Sequence, residues 1–182
     1  MKNLTLCSSL LVIVAAGIFS GCTPPAAKSP DVSDSIHKSL DQAGLKDVSV
    51  SQDRDKGVVT LGGNVKTDAE KSQAESIAKS MASGQVVADQ IAVVPVGVEG
   101  ETKAMNSDLD NGIEKNLHAA LIQNRLQKPV SYKVKNGVVT LTGEVMSVSM
   151  RTKAEQIATA VPNVTQVVNE LAVKNQKATS SK

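Results

Sequence analysis

Within the 182 residues of this chain, the side chains able to do chemistry are few and scattered. Cys7 and Cys22 are its only thiols, and His37 and His118 its only imidazoles. No Cys, His or carboxylate cluster has the spacing of metal ligands, so neither a metal nor a cofactor is expected. Lone Ser, Lys and His residues lack the adjacent base and orienting group that nucleophilic catalysis requires, which predicts a protein that is not an enzyme. The two histidines stand 81 residues apart, whereas Ile36 with Ile113 and Leu40 with Leu117 stand 77 apart; on that spacing they are not equivalent positions. Gly62-Gly63 lies inside a strand pattern and not ahead of a helix, unlike a phosphate-cradling loop. What remains is charge. From Lys115 to Gly143 the chain carries Lys115, Arg125, Lys128, Lys133 and Lys135 and no carboxylate, with Leu126 and Tyr132 among them. Each such cation contributes about 1 kcal/mol near an anionic bilayer, within a Debye length of its surface. Lys115, Arg125, Lys128, Tyr132, Lys133 and Lys135 are therefore the expected phospholipid-contacting residues. The competing reading of the same lysines is a solvated face that discourages edge-to-edge strand pairing. Nucleic acid is not expected as a partner, because one Tyr, one Phe and no Trp leave almost nothing to stack on bases.

These residues hang on a duplicated framework. Gly57 to Val65 reads GVVTLGGNV and Gly137 to Val145 reads GVVTLTGEV, with seven of nine positions identical at an offset of 80. The offset continues downstream, where AESIA starting at Ala74 recurs as AEQIA starting at Ala154. A repeat outranks length as a guide to domain count. Two small units follow, at 31–98 and 108–174, joined by a linker at 99–107 and ended by a polar tail at 175–182. Units this small bury only about 60% of their unfolded surface, so they are expected to lean on each other. Alternation of Val59, Leu61, Gly63 and Val65 with Val58, Thr60, Gly62 and Asn64 predicts a half-buried strand. Gly63 and Gly143 inside it predict a shared backbone bend, and Gly57 and Gly137 begin the strands out of tight turns. Asp31 or Ser33 is expected to cap a first helix with Val32, Ile36, Leu40 and Ala43 on one face. Thr67 and Glu70 form a capping box for a helix with Ala69, Ala74, Ile77, Ala78 and Met81 inward. Ser147 caps the equivalent helix, and Met146 and Met150 beside it are read as core or inter-domain contacts. The order in each unit is helix, strand, strand, helix, strand.

The first residues carry an address. Met1-Lys2-Asn3 followed by a mostly apolar run from Leu4 to Phe19, then Ser20-Gly21, is an export signal, residues 1–21. Phe19-Ser20-Gly21-Cys22 resembles a bacterial lipoprotein box, in which the cysteine sulfur is lipidated; a secreted protein with a free N-terminal Cys22 is the alternative. Acyl chains contribute about 0.8 kcal/mol per buried methylene, and two or more hold a protein on its membrane. Thr23 after the cysteine favours the outer membrane, and residues 22–30, rich in Pro, Ala and Ser, read as a spacer. The spacer's eight residues after Cys22 could reach about 28 Å.

Together, GVVTLGGNV and GVVTLTGEV, the capped Ala-rich helices and final strands such as VVNELAV resemble the BON domain, twice over. The resemblance implies an α+β fold, each unit a two-helix layer on a three-stranded mixed sheet. It further implies a bacterial envelope protein of the periplasmic face, tied to osmotic stress, envelope integrity and phospholipid binding. It supplies no catalytic residues. The two units also differ in charge. Asp31 to Val98 holds 7 Lys and Arg against 10 Asp and Glu, while Glu99 to Lys182 holds 11 against 8. The expected function is contact without catalysis: a lipoprotein, anchored through the acyl chains of Cys22, that binds anionic phospholipid and envelope proteins. A protein-protein interaction scaffold is the alternative.

Overall fold

The computed structural model describes residues 28–174. The first unit runs α1 (Ser33–Gln42), β1 (Val48–Asp53), β2 (Val58–Val65), α2 (Asp68–Met81), β3 (Val86–Asp89) and β4 (Ala92–Val93). The second repeats it as α3 (Glu99–Gln123), β5 (Val130–Lys135), β6 (Val138–Val145), α4 (Val148–Thr159), β7 (Gln166–Asn169) and β8 (Ala172–Val173). In each sheet the central strand pairs antiparallel with its hairpin partner and parallel with the two short segments that follow the second helix. Four segments thus occupy three strand positions. The final strand is interrupted because Asp89 Oδ1 accepts a hydrogen bond from Ile91 N, and Asn169 Oδ1 from Leu171 N. A side chain that takes its own backbone two residues on competes with the ladder and turns the chain.

Period-two burial sorts the strands. Val59, Leu61 and Val65 join Ile36, Leu40, Ala74 and Ala78 in one core, and Val139, Leu141 and Val145 join Leu117, Leu121, Ala154 and Ala158 in the other. Gly63 and Gly143 take φ values of +94° and +118°. A Cβ at either would collide with backbone, the carbonyl of Asp47 or of Pro129. Only glycine admits both the left-handed backbone and that approach. The second hairpin turns on Asn136-Gly137, both at positive φ, the two-residue pattern whose twist matches its strands. The first hairpin spends four residues, Arg54 to Gly57, between the paired Asp53 and Val58.

Three local expectations are corrected. Val32, not Asp31 or Ser33, is the N-cap of α1, and no side chain caps it; Val32 N instead donates to Gln52 Oε1. Ala69 is exposed, because at about 100° per residue it falls off the face formed by Ala74, Ile77, Ala78 and Met81. The linker at 99–107 is helical, as α3 extends through it without a break for 25 residues. The Thr67–Glu70 capping box is present in full, whereas Ser147 only accepts from Met150 N.

The units pack through the sheet faces turned away from their helices. Val58 and Ala88 of the first meet Val138 and Val168 of the second in a separate buried cluster. Gln166 inserts its amide into the edge of β3, Oε1 accepting from Asp89 N and Nε2 donating to Val87 O. Lys56, in the first hairpin turn, reaches Glu170 at 2.6 Å, and Asn136, in the second, donates to Gln90 O. Residues early in one unit therefore meet residues late in the other, so β3 and β7 run antiparallel. Each hairpin turn lies toward the end of the molecule where the other unit places the loop ahead of its first strand and the loop after its second.

Candidate functional site

The six candidate contact residues do not form one patch. Strand alternation sends Tyr132 and Val134 against the second core, while Lys133 and Lys135 go to the opposite face. There they line hollows between the units, Lys133 with Val58, Ala88 and Glu170, and Lys135 with Asn64, Asn111 and Asn136. Leu126 is buried in the core and touches no solvent partner. Burial first, and the nearby Glu114 carboxylate second, push the Tyr132 hydroxyl above its ordinary pKa. Lys115 is exposed on α3, and Arg125 and Lys128 lie exposed in the loop from α3 to β5. Among the described residues none of Lys115, Arg125, Lys128, Lys133 and Lys135 makes an ion pair within 4.0 Å.

The helix ends settle which residues of the two units correspond. Gly44 and Arg125 both take positive φ after their helices, and Leu45 N and Leu126 N both close back on Leu40 O and Leu121 O. The offset along the first helices is therefore 81, not 77, and His37 and His118 are equivalent positions after all. His37 pairs with Asp41 at 3.3 Å. At the position of Asp41 the second unit has Ile122, so the partner is missing. The same correspondence sets Lys115 against Asp34 and Arg125 against Gly44. At the neighbouring loop, Met146 stands for Lys66 and Val148 for Asp68. Ile122, Met146 and Val148 are all exposed, Met146 to 68%. This overturns the reading of Met146 as a core or inter-domain contact: it follows the last buried residue of β6 and points off the end of the sheet. Met150 does pack against the second core. Sequence reasoning missed this surface because its residues come from two loops, and only a correct superposition of the repeats exposes the exchange of charge for apolar surface.

The segment ahead of α1 is held on the first hairpin. Ser29 N donates to Arg54 O, Arg54 Nε donates to Ser29 O, Gln52 Nε2 donates to Pro30 O, and Lys28 pairs with Asp55 at 3.2 Å. The spacer is thus shorter than the sequence suggests, its last residues being part of the fold. Cys22, the expected lipidation site, lies outside the described residues, as do the expected signal and polar tail. No helix among the described residues is long and apolar enough to cross a membrane, and no three His, Cys, Asp or Glu side chains among them gather as metal ligands.

Elsewhere the titratable groups serve structure. Burial raises the Asp89 carboxyl above its usual range, against the opposing Ile91 N–H and Lys71, whose ammonium lies 3.9 Å away. The hydrogen bond to Glu170 raises Lys56, and the Lys56 backbone N–H lowers Asp53.

The family model described as the BON domain matches residues 30–95 and again 109–175. Osmotically-inducible protein Y of Escherichia coli strain K12 is 31% identical over 137 residues, covering 74% of this chain and 67% of that protein. Two solved structures of CdsD, described as a structural protein of the type III secretion system of Chlamydia trachomatis, align over 77% of this chain at 13% identity. The chain spans 62% and 66% of their lengths, less than two thirds of either, and TM-scores of 0.33 and 0.32 give that likeness no weight. The family matches cover both folded units and little else, and by them this chain belongs to the BON-domain family, carrying the domain twice.

Proposed function

We propose that this is a lipid-anchored protein of the bacterial envelope, facing the periplasm, that works by contact and not by catalysis, its cationic second unit engaging anionic phospholipid. The observation that carries the reading is that Lys115, Arg125 and Lys128 are exposed on the second unit with no ion-pair partner among the described residues. A surface that keeps several charges unpaired remains attractive to an anionic bilayer, and tethering makes even weak contact populated by raising its effective concentration. The Cys22 motif supplies the tether. The likeness to an osmotically inducible protein supports a role in envelope stress, and placement in the outer membrane rests on Thr23 following the cysteine.

The test is co-sedimentation of the unacylated chain, residues 23–182, which keeps both folded units, with vesicles of phosphatidylglycerol or of phosphatidylcholine. Retention on the anionic vesicles alone, falling as salt is added, is expected. Arg125→Ser with Lys128→Ser should weaken it by about fivefold per charge, the equivalent of about 1 kcal/mol for each cation near the surface. Equal retention on both lipids, or on neither, removes the phospholipid reading. The intact mass of protein extracted from membranes tests the anchor, since acylation at Cys22 adds the mass of the lipid.

A further inference from the structure

The geometry points to one end of the molecule as its bilayer-docking surface: the loop pole of the second unit, formed by Ile122, Arg125, Lys128, Met146 and Val148. The inference rests on the phospholipid reading above and goes further, naming the face that touches the membrane and the apolar side chains that enter it.

The residues come together because the repeat brings them together. In the first unit the corresponding Gly44, Lys46, Asp47 and Lys66 line a single depression of about 270 Å³. The second unit builds the same end from Arg125, Lys128, Pro129 and Met146, with Ile122 on the last turn of α3 and Val148 on the first of α4. Ile122, Met146 and Val148 are exposed to 47%, 68% and 53%. Apolar side chains flanked by cations suit the boundary between anionic headgroups and acyl chains, where burial and charge both favour contact. The carboxylates toward this end are already paired: Glu144 with Lys174 at 3.3 Å, Glu170 with Lys56 at 2.6 Å, and Asp55 with Lys28 at 3.2 Å.

A second exposed apolar set, Val96, Val98, Met105 and Leu109, lies about the start of α3. Charge sign decides between them. That set lies among carboxylates and lysines together, Asp47, Glu70 and Glu99 with Lys46 and Lys66, a mixed surface with no net attraction for an anionic bilayer, whereas the loop pole offers Arg125 and Lys128, which have no ion-pair partner among the described residues.

Where the chain enters the fold agrees. Residues 28–30 are held on the hairpin turn of the first unit, and the antiparallel packing puts that turn at the loop pole of the second. Lys56 of the turn is level with Glu170, beside Leu141 to Gly143. Met146 lies about four residues farther along, an advance of about 13 Å at 3.3 Å per residue. From Cys22 to Lys28 the chain can span at most about 21 Å. A leash of that length, leaving from that end, lets the pole reach the bilayer and keeps the opposite end off it.

The chain has no Trp, so a single introduced indole reports its own surroundings. Met146→Trp and its repeat counterpart Lys66→Trp, each in the unacylated chain 23–182, would be mixed with phosphatidylglycerol vesicles, plain or carrying brominated acyl chains. The expected result is a blue shift and bromine quenching for Met146→Trp, with Lys66→Trp unchanged. Joint replacement of Ile122, Met146 and Val148 by Ser should lower vesicle retention by about tenfold or more, since burial of even one such side chain is worth about that factor, with the far-UV circular dichroism unchanged. Retention on anionic vesicles with quenching at both tryptophans or at neither overturns the pole while leaving the phospholipid reading standing. No retention at all removes both. A blue shift produced by lipid-free envelope extract and not by vesicles would make the pole a protein-docking surface and overturn this inference.

Discussion

Gly63 shows how tightly one residue can be constrained. Its φ of +94° is one that side chains rarely adopt, and its missing Cβ is filled by the Asp47 carbonyl. Gly63→Ala should therefore cost about 3 kcal/mol or more, combining left-handed strain with displacement of backbone. At Gly62 the nearest atom to a Cβ is the Ser49 Oγ, a side chain that can move, and φ is ordinary. Gly62→Ala should unfold in urea with a midpoint close to that of the parent; equal losses at both glycines would contradict this account. Asp89 offers a pH-dependent counterpart. Burial raises its folded pKa, so the folded state holds the proton more tightly than the unfolded. Its contribution to stability is then fullest in acid and is lost as pH rises through the folded pKa. Asn169 occupies the same position in the second unit and makes the same bond to the backbone. Asp89→Asn is expected to raise the thermal midpoint at pH 7, with the gain vanishing as pH falls into the ordinary carboxylate range. A gain independent of pH would assign the effect to something other than ionisation.

Among the elements, the strands and the capped helices were legible from the chain alone, because period-two burial and the capping box both act over a few residues. The first helices were not placed correctly against each other. Leu117 and Leu121 match Ile36 and Leu40 as well as Ile113 and Leu117 do, since apolar residues four apart sit on one helical face and a one-turn slip preserves the pattern. Only the left-handed residues at Gly44 and Arg125 fix the register, and Arg125 gives no sign of positive φ in its type. The helical linker was hidden for a related reason: Gly97 and Gly100 suggest a break, and the early turns of α3 leave Met105 and Leu109 exposed, with no apolar stripe to announce them. The contact between sheets was legible only as a need for two small units to lean on each other, because Val58, Ala88, Val138 and Val168 are ordinary strand residues on the face expected to meet water. Replacing Val138 by Asp would bury a carboxylate there at a cost of several kcal/mol, while Val139 and Leu141 still fill the second core. Calorimetry of this variant should show the units melting in two steps where the parent melts in one. A single transition in the variant would mean that the sheets are not coupled through this cluster.

At the scale of the whole molecule, an acidic unit and a basic unit are locked antiparallel, with α3 running along them for about 37 Å at 1.5 Å per residue. The sequence showed the charge asymmetry and the twin folds; it did not show which ends coincide, because that depends on contacts between residues far apart, such as Lys56 with Glu170. Of the proposed pole the sequence offered Arg125 and Lys128 as candidates, read Met146 as a core or inter-domain contact and did not single out Ile122, while Lys133 and Lys135 face the other unit.

The seam that fastens Lys28 to Pro30 on the first hairpin also has a mechanical meaning. Any pull on the chain ahead of it is received by the paired bonds of Ser29 with Arg54 and by the Gln52 amide on Pro30, and from there by the central strand. The start of α1, which no side chain caps, is spared. A protein moored in this way would transmit strain from its leash into its stiffest layer, and release of the seam would be the first event under load.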